Sequence, residues 1–195
     1  MKLAGLILAA GESRRMGFPK ALLNYRGETF LDRLIGLFAP HCSPLIVVLG
    51  AQAERIRAGT MRAAAAEFVV NPDYTRGQIS SLQCGLAAVP SGAESVLFTL
   101  VDHPAVSAET VASLAAIPAG ERLLNIPRYG QRRGHPILIS RALIPEFLAV
   151  PASGAARDVV HRHLAETGYI DVQDPGVAAD IDDPEAYRAL LGGAS

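Results

Sequence analysis

No tryptophan occurs in the sequence, aromatic residues make up 6%, and cysteine appears only twice. Two thiols cannot build a disulfide framework, and Cys42 and Cys84 form no CxxC pair suited to zinc or redox work. Both are expected as reduced core residues. Nor is there an excess of charge of either sign: 18 Lys and Arg stand against 19 Asp and Glu, a formal net charge of −1. That balance gives no general attraction to nucleic acid or to an anionic membrane, so any anion binding must come from locally placed cations. No apolar run approaches the ~20 residues of a membrane span. Residues 3–10, preceded by a single lysine, have the length of a minimal signal-peptide core, which needs roughly 7 to 15 residues. A buried strand leading into a functional loop accounts for more of this segment, because it passes directly into Gly11-Glu-Ser-Arg-Arg. A cytoplasmic protein is the resulting expectation.

What is present is a rhythm. Half of the 195 residues are apolar and 19% are charged, the balance of one globular domain over residues 1–195. Short apolar runs at 2–10, 44–49, 68–70 and 95–100 read as strands. Helical patterns at 30–38, 52–57, 78–89 and 107–116 alternate with them, Ser107 being placed to cap the last. This alternation specifies an α/β fold, a Rossmann-like, mostly parallel sheet with helices on both faces. The C-terminal half is less regular. Strands are expected at 122–126 and 136–139 around an arginine-rich turn, 127–133. A linker over 148–154 then leads to a helix at 155–165, a strand near Ile170, an Asp-Pro-Gly turn and a helix from Pro184. The alanine tract 63–66 reads as part of a helix.

The segment Leu6-Ile-Leu-Ala-Ala-Gly-Glu-Ser-Arg-Arg-Met-Gly-Phe-Pro-Lys20 is the most informative. An apolar strand ends in a glycine-bearing loop whose amides can approach a phosphate chain, and the loop carries Arg14, Arg15 and Lys20. It is neither a Walker A loop, since Ala21 stands where a metal-binding hydroxyl would, nor a GxGxxG turn. Farther on, Val96-Leu-Phe-Thr-Leu-Val-Asp102-His-Pro puts a carboxylate at the end of an apolar strand. Ligands of open α/β sheets bind at the carboxyl ends of strands, so Asp102 should face the same crevice as the first loop. A hard oxygen ligand there suits Mg²⁺. His103 beside it is expected as a crevice wall. Near the end, Asp180-Ile-Asp182-Asp183-Pro184 places Asp183 as the cap of the last helix and leaves Asp180 and Asp182 on one side of an extended segment. His161 and His163, two apart on a helix, point to different faces and are expected in solvent.

The stretch LAAGxSxRMGxPK resembles the signature of the MobA-like nucleotidyltransferases, and within them the molybdenum-cofactor cytidylyltransferase branch more than the guanylyltransferase one. The resemblance implies a nucleotide-diphospho-sugar transferase-like fold. It implies that Ala9, Ala10, Gly11, Arg15 and Lys20 hold the triphosphate, with Arg15, Lys20 and Asp102 as the catalytic set. Asp102, in a segment similar to the family's L-V-D-x-P, would hold Mg²⁺ together with Asp180 or, next in preference, Asp182, in a box similar to DIDTP. The segment Asn71-Pro-Asp-Tyr-Thr-Arg-Gly77-Gln-Ile-Ser80-Ser81 is similar to the family's base and ribose stretch, which implies nucleotide contacts at Gly77, Ser80 and Ser81. Gly134-His135-Pro136 matches a family GHP on the acceptor side, implying acceptor contacts at His135 and, farther on, at Arg157. The sequence departs from the G-D-x-G-A-R box of that branch: it reads Pro151-Ala-Ser-Gly-Ala-Ala-Arg157-Asp158, without the first aspartate.

The activity implied is transfer of a nucleoside monophosphate, CMP from CTP, to a phosphorylated small acceptor, molybdopterin by resemblance, with release of pyrophosphate. The N-terminal half would bind the NTP and the C-terminal half the acceptor. Another phosphorylated acceptor such as a sugar phosphate, or a non-catalytic nucleotide-binding regulator of cofactor maturation, stays open at this point. No nucleic acid or membrane partner is expected, and the resemblance leaves room for transient contact with a molybdoenzyme or its maturation factor.

Overall fold

The computed structural model describes residues 2–193; Met1, which precedes the apolar run weighed above as a signal peptide, lies outside the described residues. In chain order the strands and helices are β1 (Leu3–Ala9), β2 (Asn24–Tyr25), β3 (Glu28–Thr29), α1 (Phe30–Phe38), β4 (Leu45–Leu49), α2 (Ala53–Ala58), β5 (Glu67–Val70), α3 (Gln78–Ala87), β6 (Ser95–Leu100) and α4 (Ala108–Ala115), followed by β7 (Leu124–Tyr129), β8 (Arg132–Arg133), β9 (Ile137–Ser140), α5 (Ile144–Leu148), α6 (Ala156–Arg162), β10 (Thr167–Asp171) and α7 (Pro184–Gly192).

Strand β1 is buried along its whole length, which requires neighbours on both edges and cover on both faces. Its edges pair in parallel with β4 and β6. The sheet runs β10-β7-β9-β6-β1-β4-β5, with β8 added to β7, and β9 is antiparallel to both β6 and β7. Alternation along β1 divides the core in two. Leu3, Ile7 and Ala9 join the apolar layer that includes α1 and α4, whereas Ala4, Leu6 and Leu8 join the layer that includes α3, α5 and Phe147.

Helix α1 coincides with its expected span, because its signals are all local. Thr29 caps it by accepting from the Asp32 amide, and Phe30, Leu31, Leu34, Ile35 and Phe38 form one buried stripe. Other expectations change. The stretch 63–66 makes a single 3₁₀ turn, Ala63–Ala65, and β7 runs on through Pro127 and Arg128, which had read as turn. Proline is tolerated there because β9 pairs with β7 only at Leu124 and Asn125, and β8 begins its pairing at Arg128. Helix α6 stops at Arg162, so His163 leaves the solvated face assigned to it and its Nε2 lies 2.8 Å from Glu146 Oε1. Cys42 is buried, but Cys84 is only half-buried.

The topology gathers the chemistry-bearing loops at one edge. The chain leaves β1 and β6, which are parallel neighbours, on the same side of the sheet, so residues 10–20 and Asp102 face each other. The C-terminal segment returns to this edge, where the Ile181 amide donates to the Asp102 carbonyl at 2.9 Å. Buried Ile181 is thereby pinned, and Asp180 and Asp182 flank it. Among the described residues no helix is long and apolar enough to cross a membrane.

Candidate active site

The loop after β1 is shaped by two left-handed residues, Ser13 (φ 53°) and Gly17 (φ 64°). Glycine adopts that conformation without cost; Ser13 is held in it by the Met16 and Gly17 amides donating to its carbonyl. Its hydroxyl accepts from the Lys20 amide at 3.0 Å, which closes the loop and aims Lys20 inward. Phe18, under the Arg55 guanidinium at 4.8 Å, ties the loop to α2.

Three of the expected residues meet at one cation. The Lys20 ammonium lies 3.1 Å from Asp102 Oδ2 and 2.7 Å from Asp182 Oδ1, and Arg15 donates to Asp182 Oδ2 at 2.6 Å. Burial alone would raise the Asp102 pKa, but the His103 ring at 2.9 Å and the Lys20 charge outweigh it and hold Asp102 down to about 2. Asp182 is lowered by its bond from Lys20, with Arg15 adding to the effect. Both groups are therefore anionic at neutral pH. Asp180, preferred on the sequence, is exposed and takes no part in this cluster; the pinned Ile181 turns Asp182 toward Lys20 instead. Replacing Asp182 by alanine is accordingly expected to lower turnover at least tenfold more than Asp180→Ala, roughly the effect of losing one charged contact in a desolvated site. Equal losses in a steady-state assay of both variants would reject that ranking.

Two cavities meet at this cluster. The first, of about 500 Å³, is lined by Ala9, Ala10, Gly11, Arg15, Lys20, Gly77, Ser81, Asp102 and Asp182. Ser81 accepts from the Asn71 amide at 3.0 Å, which leaves its own proton free. Ser80 does not line the cavity: its hydroxyl donates back to the Asp73 and Gly77 carbonyls and braces the turn. Tyr74, Thr75 and Gln78 line the same wall and were not singled out on the sequence, although Gln78 directly follows the expected Gly77. The second cavity, of about 600 Å³, holds His103, His135, Arg157, Asp180 and Arg132, and shares Gln78, Leu100, Asp102 and Asp182 with the first. Burial, and then the neighbouring His103, push the His135 pKa down to about 3, so this ring is neutral at physiological pH.

Gly134 seats His135 against the C-terminal segment. A Cβ at Gly134 would stand 1.7 Å from the Val177 carbonyl oxygen, the acceptor of the His135 amide at 2.9 Å. Backbone cannot give way as a side chain can, so Gly134→Ala is expected to cost about 3 kcal/mol or more. In a domain of this size that is a fall of roughly 6–12 °C in Tm, which a thermal melt would read.

A loop of phosphate-binding design facing paired carboxylates at the carboxyl ends of parallel strands defines a nucleotide-handling transferase of the α/β class. Residues 5–167 match the MobA-like NTP transferase domain, and the chain belongs to that family, close to its molybdenum-cofactor branch. Its fold is that of the nucleotide-diphospho-sugar transferases, and it is a nucleotidyltransferase. Nicotine blue oxidoreductase of Paenarthrobacter nicotinovorans is 34% identical over 96% of this chain and 95% of its own length. Molybdenum cofactor cytidylyltransferase of Escherichia coli (strain K12) is 25% identical over 93% and 92%. Among solved structures, Rv0371c from Mycobacterium tuberculosis H37Rv superposes with a TM-score of 0.87 at 31% identity, over 98% of each chain. A complex of Rv0371C with manganese gives 0.83 at 29%, over 98% of this chain and 99% of that one.

Proposed function

We propose that this enzyme transfers CMP from CTP to a phosphorylated small acceptor with Mg²⁺, releasing pyrophosphate. The observation that carries the proposal is the Lys20 ammonium set 2.7 and 3.1 Å from two carboxylates at the mouth of the Gly11–Lys20 loop. Lys20 stands where a divalent cation would sit: Asp102 and Asp182 offer hard oxygens converging on one cation position, a donor set suited to Mg²⁺. Among the described residues no third His, Cys, Asp or Glu completes a protein-only site, as fits an ion that usually keeps waters and substrate phosphate among its ligands. A neighbour of this fold at 29% identity, Rv0371C, forms a complex with manganese, which supports a divalent ion as the cofactor to test here.

When a triphosphate enters the first cavity, Arg15 and Lys20 exchange carboxylates for phosphate oxygens, and Asp102 and Asp182 are the residues that would hold Mg²⁺. Bound there, the ion would neutralise charge on the phosphates and polarise the α-phosphoryl group. An acceptor phosphate oxygen presented from the second cavity then attacks the α-phosphorus in line. One P–O bond forms, the bond to the β-phosphate bridging oxygen breaks, and pyrophosphate leaves with the electron pair. The nucleophile is already anionic, so no general base is required, and catalysis is positioning and charge stabilisation by Arg15 and Lys20. No covalent enzyme intermediate forms.

The E. coli relative and the sequence resemblance support CTP as donor and make molybdopterin the first acceptor to assay. Thermal unfolding with CTP, GTP, UTP and ATP, with and without Mg²⁺, tests the donor. A ligand at 100 times its dissociation constant adds about 2.7 kcal/mol, or roughly 5–11 °C here. The shift is expected with CTP and to depend on Mg²⁺. A shift with another nucleotide alone would overturn the base, and none at all would overturn nucleotide binding. A second reading rests on the 34% identity to nicotine blue oxidoreductase, namely an oxidoreductase reaction in which an added electron carrier is consumed in step with substrate. It requires turnover without NTP, whereas nucleotidyl transfer requires pyrophosphate in step with acceptor.

A further inference from the structure

Helix α3 begins where the two cavities meet. Gly77, with φ 98° and ψ 174°, starts it in a conformation that side chains rarely adopt, and the buried Ile79, Leu82 and Leu86 anchor its inner face. The direction of its first residue, Gln78, is thereby set. Residues three and four apart on a helix lie on one side of it. Gln78 and Ser81 accordingly line the first cavity, and Gln78 and Leu82 the second. The helix stands as a partition, with a hydroxyl on the donor side, an apolar side chain on the acceptor side and the Gln78 carboxamide at the end common to both.

Cations are sorted to either side of this point. Arg14, Arg15 and Lys20 line the first cavity alone, and Arg132, Arg133 and Arg157 the second alone. The side chains common to both are Gln78, Leu100, Asp102 and Asp182. Leu100 is apolar, and the two aspartates are anions that hold Lys20. Gln78 is exposed and, unlike Ser80 and Gln83 on the same helix, makes no side-chain hydrogen bond among the described residues. A carboxamide nitrogen has two hydrogens and no charge, so one group can donate to an oxygen on each side of the junction.

We infer that Gln78 is a catalytic residue of the proposed transfer, its carboxamide nitrogen donating both to the α-phosphate in the first cavity and to the attacking acceptor phosphate in the second. The inference rests on the nucleotidyl-transfer reading and adds to it the group that holds the two phosphates in line. The two anions repel each other, and the neighbouring aspartates add to the repulsion. A shared neutral donor offsets part of this at the point where no cation stands.

Calorimetric titration of inorganic phosphate into the full chain, saturated with Mg²⁺ and α,β-methylene-CTP, tests it. The carbon bridge of the analogue blocks release of pyrophosphate and keeps the first cavity filled, so the added phosphate reports on the second. Gln78→Ala is expected to weaken phosphate roughly tenfold, the loss of one hydrogen bond to a charged group. Gln78→Glu keeps the size, and its charge favours the first turn of a helix, so it should melt no lower than wild type. It is nonetheless expected to weaken phosphate further than alanine does, because a carboxylate accepts and repels where the carboxamide donated; a purely structural role would predict the opposite order. Unchanged phosphate affinity in either folded variant overturns the inference, as does an analogue-filled wild type that binds no phosphate. Failure of the analogue to bind wild type sinks the CMP-transfer reading and this inference with it. Analogue binding with a phosphate affinity indifferent to residue 78 sinks the inference alone.

Discussion

Asp102→Ala is expected to lower pyrophosphate release by about a thousandfold or more, the scale of losing a charged group aimed at the reacting centre. The carboxylate touches Lys20 and His103 and, more deeply buried than Asp182, lines both cavities between donor and acceptor. The fold should survive. What anchors the C-terminal segment at this point is the Asp102 backbone carbonyl, which alanine retains, and Lys20 keeps Asp182 as a partner. Asp102→Asn, which keeps the shape and removes the charge, is expected to fall nearly as far. A melt within a few degrees of wild type together with lost turnover is the supporting pair of results. Substantial Mg²⁺-dependent turnover in the folded alanine variant would remove Asp102 from the proposed chemistry.

The parts of the fold legible in the sequence are those whose signals are local and strong. Runs such as Leu45–Leu49 and Ser95–Leu100 are apolar, short and bounded by turns, and α1 has its cap and its buried stripe within ten residues. The hairpin β2–β3 has neither kind of signal: each strand is two residues long, and its turn is built on Arg26 (φ 54°) and Gly27 (φ 84°) instead of the Asn-Gly that usually marks such a bend. Helix α5, five residues with Pro145 in its first turn, is too short to show a period. Its C-terminal end is held from outside by Gln83, a contact 64 to 67 residues away that no local pattern contains.

The site follows the same division. Placing a glycine-bearing cationic loop after the first strand and a carboxylate after another brings both to one edge once the sheet is known to be parallel. The choice between Asp180 and Asp182 is different in kind, because both lie on one side of an extended segment and only the bond from the Ile181 amide to the Asp102 carbonyl decides which one meets Lys20. Ser80 and Ser81 differ for a similar reason. Adjacent on a helix, they point apart, and the turn carbonyls of Asp73 and Gly77 take the first.

Lys20→Met tests whether this lysine has two roles in succession, holding the carboxylates before substrate and the phosphates after. Loss of a single charge in a desolvated pocket is expected to lower kcat by roughly 10²–10³. Arg15→Met should lose less, because its side chain is 66% exposed against 14% for Lys20 and its ion-pair partner is Asp182 alone. Lys20→Arg should not restore the rate, since a planar fork cannot replace a compact ammonium between two carboxylates. Lys20→Met also leaves Asp102 buried with His103 as its remaining partner, so its pKa must rise from about 2 toward the ordinary 3.8. In the wild type the depressed value means that ionised Asp102 contributes stability above pH 3.8 that is lost as the pH falls toward 2. Lys20→Met should therefore melt lower than wild type at neutral pH, and the difference should shrink as Asp102 becomes protonated in acid. The acid limb of kcat/KM should move upward in the same variant, because an Asp102 that takes up its proton sooner loses its charge sooner. A rate loss with an unmoved acid limb would mean that Lys20 acts on the phosphates alone and that its contact with Asp102 is incidental.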